Sequence, residues 1–302
     1  MITVFGSINM DLIATTERLP NPSETVPGHS FTTAAGGKGA NQALAARRAG
    51  SLVRMAGAVG GDAFAAESLV LLTQSAVNLD LVKVADEPTG TAHILVADDG
   101  ENVIVVVAGA NGDVTAADAK AAVSQMSAGD ILVLQLEVPP EAVEMALDAA
   151  KARRVTSVIN LAPMTADARR LGAKADIVVT NEIEFELFAG KSGLSDAERE
   201  AEMRSIHDQT GQTIIVTLGA DGVIAIRKGN VFRAPGLKIE PVDTVGAGDS
   251  FCGYLAASLD AGLPFADCLR RAAIAGSLAC LKRGAQPSIP DAVEVDARMQ
   301  DT

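Results

Sequence analysis

Short runs of β-branched and aliphatic residues recur along the chain, separated by longer stretches whose apolar positions follow a helical spacing. The runs at 2–7 (ITVFGS), 52–60 (LVRMAGAVG), 131–138 (ILVLQLEV), 156–162 (TSVINLA), 176–181 (DIVVTN) and 213–219 (TIIVTLG) predict strands. Strands that alternate with helices form βαβ units and hence a parallel sheet. One of the intervening helices is expected at 139–154. Pro139 and Pro140 open it, Glu141 stands in its first turn, and Lys151, Arg153 and Arg154 close it, which suits the helix dipole. The central runs are apolar at consecutive positions, so helices must cover both faces of the sheet. The expected fold is α/β, a doubly wound, mostly parallel sheet flanked by helices.

Two segments break this pattern. Residues 12–35 and 88–109 are strand-rich, carry turn signals at Asn21-Pro22, Pro27-Gly28 and Asp98-Asp99-Gly100, and have no helix between their strands. They predict hairpins in a small β-sheet inserted into the main domain, which then comprises 1–11, 36–87 and 110–302. In TAHILVADDGENVIVVVAG the apolar alternation implies that one face of the hairpin is covered by something: a substrate, the main domain or a second subunit.

Composition narrows the function. A chain of 302 residues that is 48% hydrophobic can bury a large core. A net charge of −13 disfavours nucleic acid, whose phosphates need clustered Lys and Arg, and 3% aromatics without Trp leave no base-stacking platform. The start MITVFGSINMDL reads as a first strand and not a signal peptide, and no apolar run reaches the ~18 residues that cross a membrane. Cys252, Cys268 and Cys280 are odd in number and widely spaced, which points away from disulfides or a zinc site and toward the cytoplasm.

Three motifs carry chemistry. In DTVGAGDSF a glycine turn opens a helix, so the amides of Gly246, Ala247 and Gly248 can face an anion at the positive end of the dipole. Asp249 beside them could simply complement that dipole, but a carboxylate next to an anion cradle is also what phosphoryl transfer requires. GGKGANQ, residues 36–42, is a second glycine turn. It is no P-loop, because Gly39 follows Lys38 and Thr32 stands where the first glycine should be. Its Lys38 and Asn41 can fork onto vicinal hydroxyls. GSINMD at 6–11 lies where open α/β sheets bind ligands, with Asn9 and Asp11 on one side of an extended segment. Glu137 ends another strand, and Asn181 with Glu184 ends a third, although that pair also fits a helix capping box.

GSINMD, GGKGAN, N-x-x-E and DTVGAGDSF, in this order and followed by GAQPSIP, resemble the ribokinase family of ATP-dependent sugar kinases essentially from end to end. The resemblance implies ATP-dependent phosphorylation of a small sugar, D-ribose foremost, at its primary 5-hydroxyl. It implies that Asn9, Met10, Asp11, Gly37, Lys38, Gly39, Ala40, Asn41 and Glu137 hold the sugar. Asp249 would be the base and Gly246, Ala247 and Gly248 the anion hole. Asn181, Glu184, Thr217, Leu218, Gly219, Ala220, Asp221, Gly222, Gly248 and Asp249 would serve ATP, with Asn181 and Glu184 ordering Mg2+ through water. A monovalent cation, K+, would be held through Asp243, Val245, Ala279, Lys282, Gly284 and Ser288, largely by backbone carbonyls. The inserted sheet would be a lid and a homodimer clasp. Ala273 departs from relatives that have a polar residue on the adenine side.

Other substrates remain open: deoxyribose, a ketohexose or a nucleoside. Outside the kinases, Gly248-Asp249-Ser250 could suggest a hydrolase, but Cys252 breaks G-x-S-x-G, and His29, His93 and His207 offer no partner. A non-catalytic sugar-binding module is the third possibility.

Overall fold

The structure is a computed structural model that describes residues 1–300. Among these residues thirteen strands form two sheets: β1 (Ile2–Phe5), β2 (Asn9–Thr16), β3 (Gly28–Gly36), β4 (Val53–Val59), β5 (Asn78–Val84), β6 (Gly90–Ala97), β7 (Asn102–Val107), β8 (Ile131–Leu134), β9 (Thr156–Asn160), β10 (Ile177–Asn181), β11 (Thr213–Thr217), β12 (Val223–Arg227) and β13 (Asn230–Ala234). The large sheet has the order β13-β12-β11-β10-β9-β8-β1-β4-β5, parallel from β11 to β5 and antiparallel at β12 and β13. The chain winds outward from β1 in both directions, through β4 on one side and β8 on the other. Such a reversal opens a crevice at the carboxyl ends of the strands.

Helices cover both faces, as the continuous apolar runs require. Ile131 and Val133 point into one layer with Phe251, Tyr254 and Leu255, while Leu132 and Leu134 point into the other with Val143, Ala146 and Leu147. The helix expected at 139–154 spans Pro140–Arg153 and ends on Arg154 in the left-handed region at φ 58°.

Two helices matter most for the site, Lys38–Arg48 and Ala247–Asp260. Asn41 and Gln42 reach Asp249, and one turn further on Ala45 and Ala46 meet Gly253. The helices therefore run parallel, in contact through small residues, with both N-termini aimed at the crevice.

The small sheet has the order β3-β2-β6-β7, two hairpins joined by parallel pairing of β2 with β6. The expected turn at Asp98, Asp99 and Gly100 closes β6 onto β7, with Gly100 at φ 90°. Strand β2 begins at Asn9, three residues before the expected start at 12, so Asn9 and Asp11 belong to the small sheet. Strand β7 is open on both faces. Its Val103, Ile104, Val105, Val106 and Val107 are all 48–58% exposed, so among the described residues neither face is more than partly covered.

Strands β5, β12 and β13 are not singled out by the sequence pattern. Strand β5 is an edge strand with half-buried and exposed positions instead of an apolar run. Strands β12 and β13 are joined by Lys228 and Gly229, both with positive φ (49° and 75°). That is the geometry of a tight hairpin turn, here without the usual Asn-Gly or Asp-Gly signature. Among the described residues no helix is long and apolar enough to cross a membrane.

Candidate active site

The two glycine turns look alike in sequence but differ in their hydrogen bonds. At the first, three successive amides are occupied: Lys38 N–H donates to Glu137 Oε2 at 3.1 Å, Gly39 N–H to Ser7 Oγ at 3.3 Å and Ala40 N–H to the Ser7 carbonyl at 2.9 Å. Ser7 Oγ in turn donates to Glu137 Oε2 at 2.5 Å. The turn is thus tied to the end of β1, and what it offers a ligand is chiefly the side chains of Lys38 and Asn41. At the second turn, Gly246 caps the helix at φ 78°, and among the described residues the amides of Gly246, Gly248 and Asp249 have no acceptor in the chain. The Ala247 amide, expected to be free, instead donates to the Thr244 carbonyl at 3.3 Å. The second turn thus presents a cluster of free amides to an anion.

Asp249 is 6% exposed and held at both carboxylate oxygens. Asn41 Nδ2 donates to Oδ2 and Gln42 Nε2 to Oδ1, each at 2.9 Å. Asn41 Oδ1 is buried without a partner, so an incoming hydroxyl can satisfy it.

Asp11 lies near both Glu137 and Asp249, and Asn9 shares its face of β2. Asn9 Oδ1 accepts from Asn111 Nδ2 at 2.7 Å, and Asn111 also pairs with both backbone groups of Ile8, so the 109–113 turn fixes where β1 passes into β2. Burial, with Glu137 and Asp249 nearby, raises the Asp11 carboxyl to about 7, and Lys38 offsets only part of this. The Asp249 carboxylate beside Lys38 holds that ammonium above its usual range despite burial. Met10, between Asn9 and Asp11, is fully buried on the opposite face of the strand, so its side chain cannot meet the same ligand. His93 also faces away: it pairs with Val105, while Ala92 and Val106 lie beside Asp11. A cavity of about 360 Å³ between the small and large sheets is lined by Asn9, Val106, Asn111 and Glu137.

On the other side of the second turn lies a cleft of about 770 Å³, lined by Thr217, Gly222, Thr244, Gly248 and Ala273 among others. Gly219, Ala220 and Asp221 also border it, but Leu218 turns into the core. Asn181 and Glu184 stand at the end of β10, whose last residue pairs with Thr217, and form the capping box foreseen as the structural alternative. Burial raises the Glu184 carboxyl, although the Asn181 amide donates to it.

The residues expected around a monovalent cation gather at one corner. Asp243 Oδ1 and Oδ2 accept from the amides of Val245 (3.0 Å) and Gly284 (2.8 Å). Among the described residues the carbonyls of Asp243, Val245 and Lys282 accept no hydrogen bond, which suits a hard cation taking carbonyl oxygens. Ala279 is less available, since its carbonyl accepts weakly from Lys282 at 3.5 Å, and Ser288 Oγ donates to the Ala285 carbonyl. No group of three or more His, Cys, Asp or Glu side chains that could hold a metal exists among the described residues.

Sequence reasoning passed over Ser7, Gln42, Asn111, Gln135 and Asn160. The available signal was polarity in an apolar setting: Gln135 interrupts the strand run ILVLQLEV, and a buried polar group persists there only with partners.

A nucleotide-sized cleft that reaches a turn of free amides, with buried polar side chains gathered on Asp249 behind that turn in a doubly wound sheet, defines the architecture of a kinase with a small alcohol as acceptor. The model of the pfkB family carbohydrate kinases matches residues 1–292, and the chain belongs to that family. Its relatives include the ribokinase of Haemophilus influenzae, 35% identical over 96% of this chain and 95% of that protein. The ribokinase of Bacillus subtilis is 36% identical over 98% of each. Among solved structures, Arabidopsis thaliana ribokinase complexed with ribose and ATP superposes with a TM-score of 0.87 at 30% identity, covering 98% of this chain and 97% of that one.

Proposed function

We propose that this chain phosphorylates D-ribose at its 5-hydroxyl with ATP, giving ribose 5-phosphate and ADP. The observation that carries the reading is the 246–249 turn. Ala247 and Gly248 border the nucleotide-sized cleft, while Asp249, the next residue, is gripped by Asn41 and Gln42 from the helix that the first glycine turn opens. A γ-phosphoryl group in the cleft and a hydroxyl beside Asp249 would meet there.

Asn9, Asp11, Lys38, Asn41 and Glu137 hold the sugar hydroxyls, and Asp249 accepts the proton of the 5-hydroxyl as its oxygen bonds to phosphorus and the bond to ADP breaks. The transition state is loose, so alignment and charge stabilisation dominate. The amides of Gly246 and Gly248 take part of the charge on the phosphoryl oxygens, where one such donor is worth about 3 to 4 kcal/mol. Magnesium, arriving with the nucleotide, supplies further neutralisation, and Asn181 with Glu184 fits a role through water. The carbonyls at 243, 245 and 282 fit K+, which would stiffen the same turn.

The exposed strand β7 supports a homodimer in which two small sheets cover one another, and the small sheet in the role of lid. Three unpaired cysteines support a cytoplasmic enzyme.

The test is ADP release with a panel of ribose, deoxyribose, fructose and nucleosides, for the wild type and Asp249→Asn. Ribose should give the highest kcat/KM, and the variant should lose roughly two to four orders of magnitude in kcat. ADP release indifferent to sugar, or near-normal turnover by the variant, overturns the proposal.

A further inference from the structure

Gln42 is fully buried, as is Gln135, and the hydrogen bonds around them run in one direction. An ionised carboxylate only accepts, so the atom of Gln42 facing Asp249 Oδ1 must be its nitrogen. That leaves Gln42 Oε1 to accept from Gln135 Nε2 at 2.7 Å. Gln42 Nε2 also reaches Asn160 Oδ1 at 3.3 Å, which turns Asn160 Nδ2 toward the Val179 carbonyl. Amides from the ends of β8 and β9 are thereby oriented by one carboxylate.

The arrangement carries a cost that a purely structural network would avoid. Gln135 Oε1 is buried without a partner. It also stands 1.8 Å from where a Cβ on residue 6 would be, so only Gly6 leaves it room.

From this geometry we infer that Gln42, braced by Gln135 and Asn160, is a positioning residue for Asp249. It pins Oδ1 and leaves Oδ2, on which Asn41 bears, turned toward the sugar. The inference rests on the proposed role of Asp249 as base. Other groups that face Asp249 are the carboxyls of Asp11 and Glu184, the Lys38 ammonium and the Cys252 thiol, and all of them stay in place in the variants below.

The test is the pH profile of kcat for Gln42→Glu, with ribose and ATP saturating. This change keeps the shape and the acceptor for Gln135 but replaces the N–H with a carboxylate that must share a proton with Asp249. The acid limb should move up by at least one pH unit, with both KM values within about threefold. If that variant does not fold, Gln135→Met removes the brace and should lower kcat about tenfold at unchanged KM. An unshifted profile with a loss confined to KM or to melting temperature overturns the inference, as does wild-type kcat in Gln135→Met when Gln42→Glu does not fold. Asp249→Asn, run in parallel, separates the two ideas. If it keeps near-normal turnover, the base assignment falls; if it is inactive while Gln42→Glu keeps the wild-type profile, only the positioning role falls.

Discussion

Gly253 and Ala45 face each other across two parallel helices so closely that a Cβ on Gly253 would stand 2.4 Å from that of Ala45. Asp249 lies one turn before Gly253, and Asn41 one turn before Ala45. The closeness of one pair therefore sets the hydrogen bonding of the other.

Replacing Gly253 by Ala should force the helices apart. Overpacking of this kind costs about 1 to 3 kcal/mol, and a misplacement near 1 Å at reacting groups can cost about 10²-fold in rate. We expect a folded protein with a lower melting temperature and kcat reduced roughly tenfold or more. Wild-type kcat together with a normal melting temperature would show that the helices do not need this contact.

Asp11 makes stability depend on pH. Its carboxyl titrates near 3.8 when unfolded and at about 7 when folded, so the folded state binds the extra proton in between. Stability is fully present below pH 4 and is lost as pH rises through 7, by an amount on the order of 4 kcal/mol at most. Asp11→Asn should remove this dependence and melt higher than the wild type at pH 8, while losing sugar affinity. Melting curves of the two proteins that stay parallel from pH 5 to 8 would contradict the raised titration.

The base end of the cleft offers few groups to read a base edge. Ala273 is apolar, and the hydroxyl of Ser277 is already engaged, donating to the Ala273 carbonyl and accepting from the Leu237 amide. Pockets without dedicated hydrogen bonds discriminate by roughly 10 to 200-fold, against 10⁴ or more for those that have them. The ratio of kcat/KM for ATP over GTP should lie in the lower range. A measured preference above about 10⁴ would mean that backbone groups read the base.

Strand β7 is an apolar edge with Val105 58% exposed. Such edges persist when a partner covers them. Sedimentation should find a dimer in the wild type and a monomer in Val105→Glu, with the melting temperature of the monomer little changed. A wild-type monomer at micromolar concentration would refute the clasp.

The sequence by itself determined the winding of the large sheet, because runs such as ILVL and TIIVT are apolar at consecutive positions and can only be buried on both faces. It also determined the chemistry of the strand ends and both glycine turns, since Gly, Asp, Asn and Lys stand there in an order that strands and helices place on one rim. What it left undecided is which turn keeps its amides free. That depends on Ser7 and Glu137, which arrive from β1 and from beyond β8 to occupy one set and not the other. The edge strands β5, β12 and β13 carry too little continuous apolar pattern, or too unusual a turn, to declare themselves. The setting of Asp249 was likewise tertiary: a first-turn acid that could have been a plain dipole partner became a gripped carboxylate because Gly253 lets two helices touch. Hydrogen bonds between residues 207 and 208 positions apart have no local signature, and only the packing of the helices creates them.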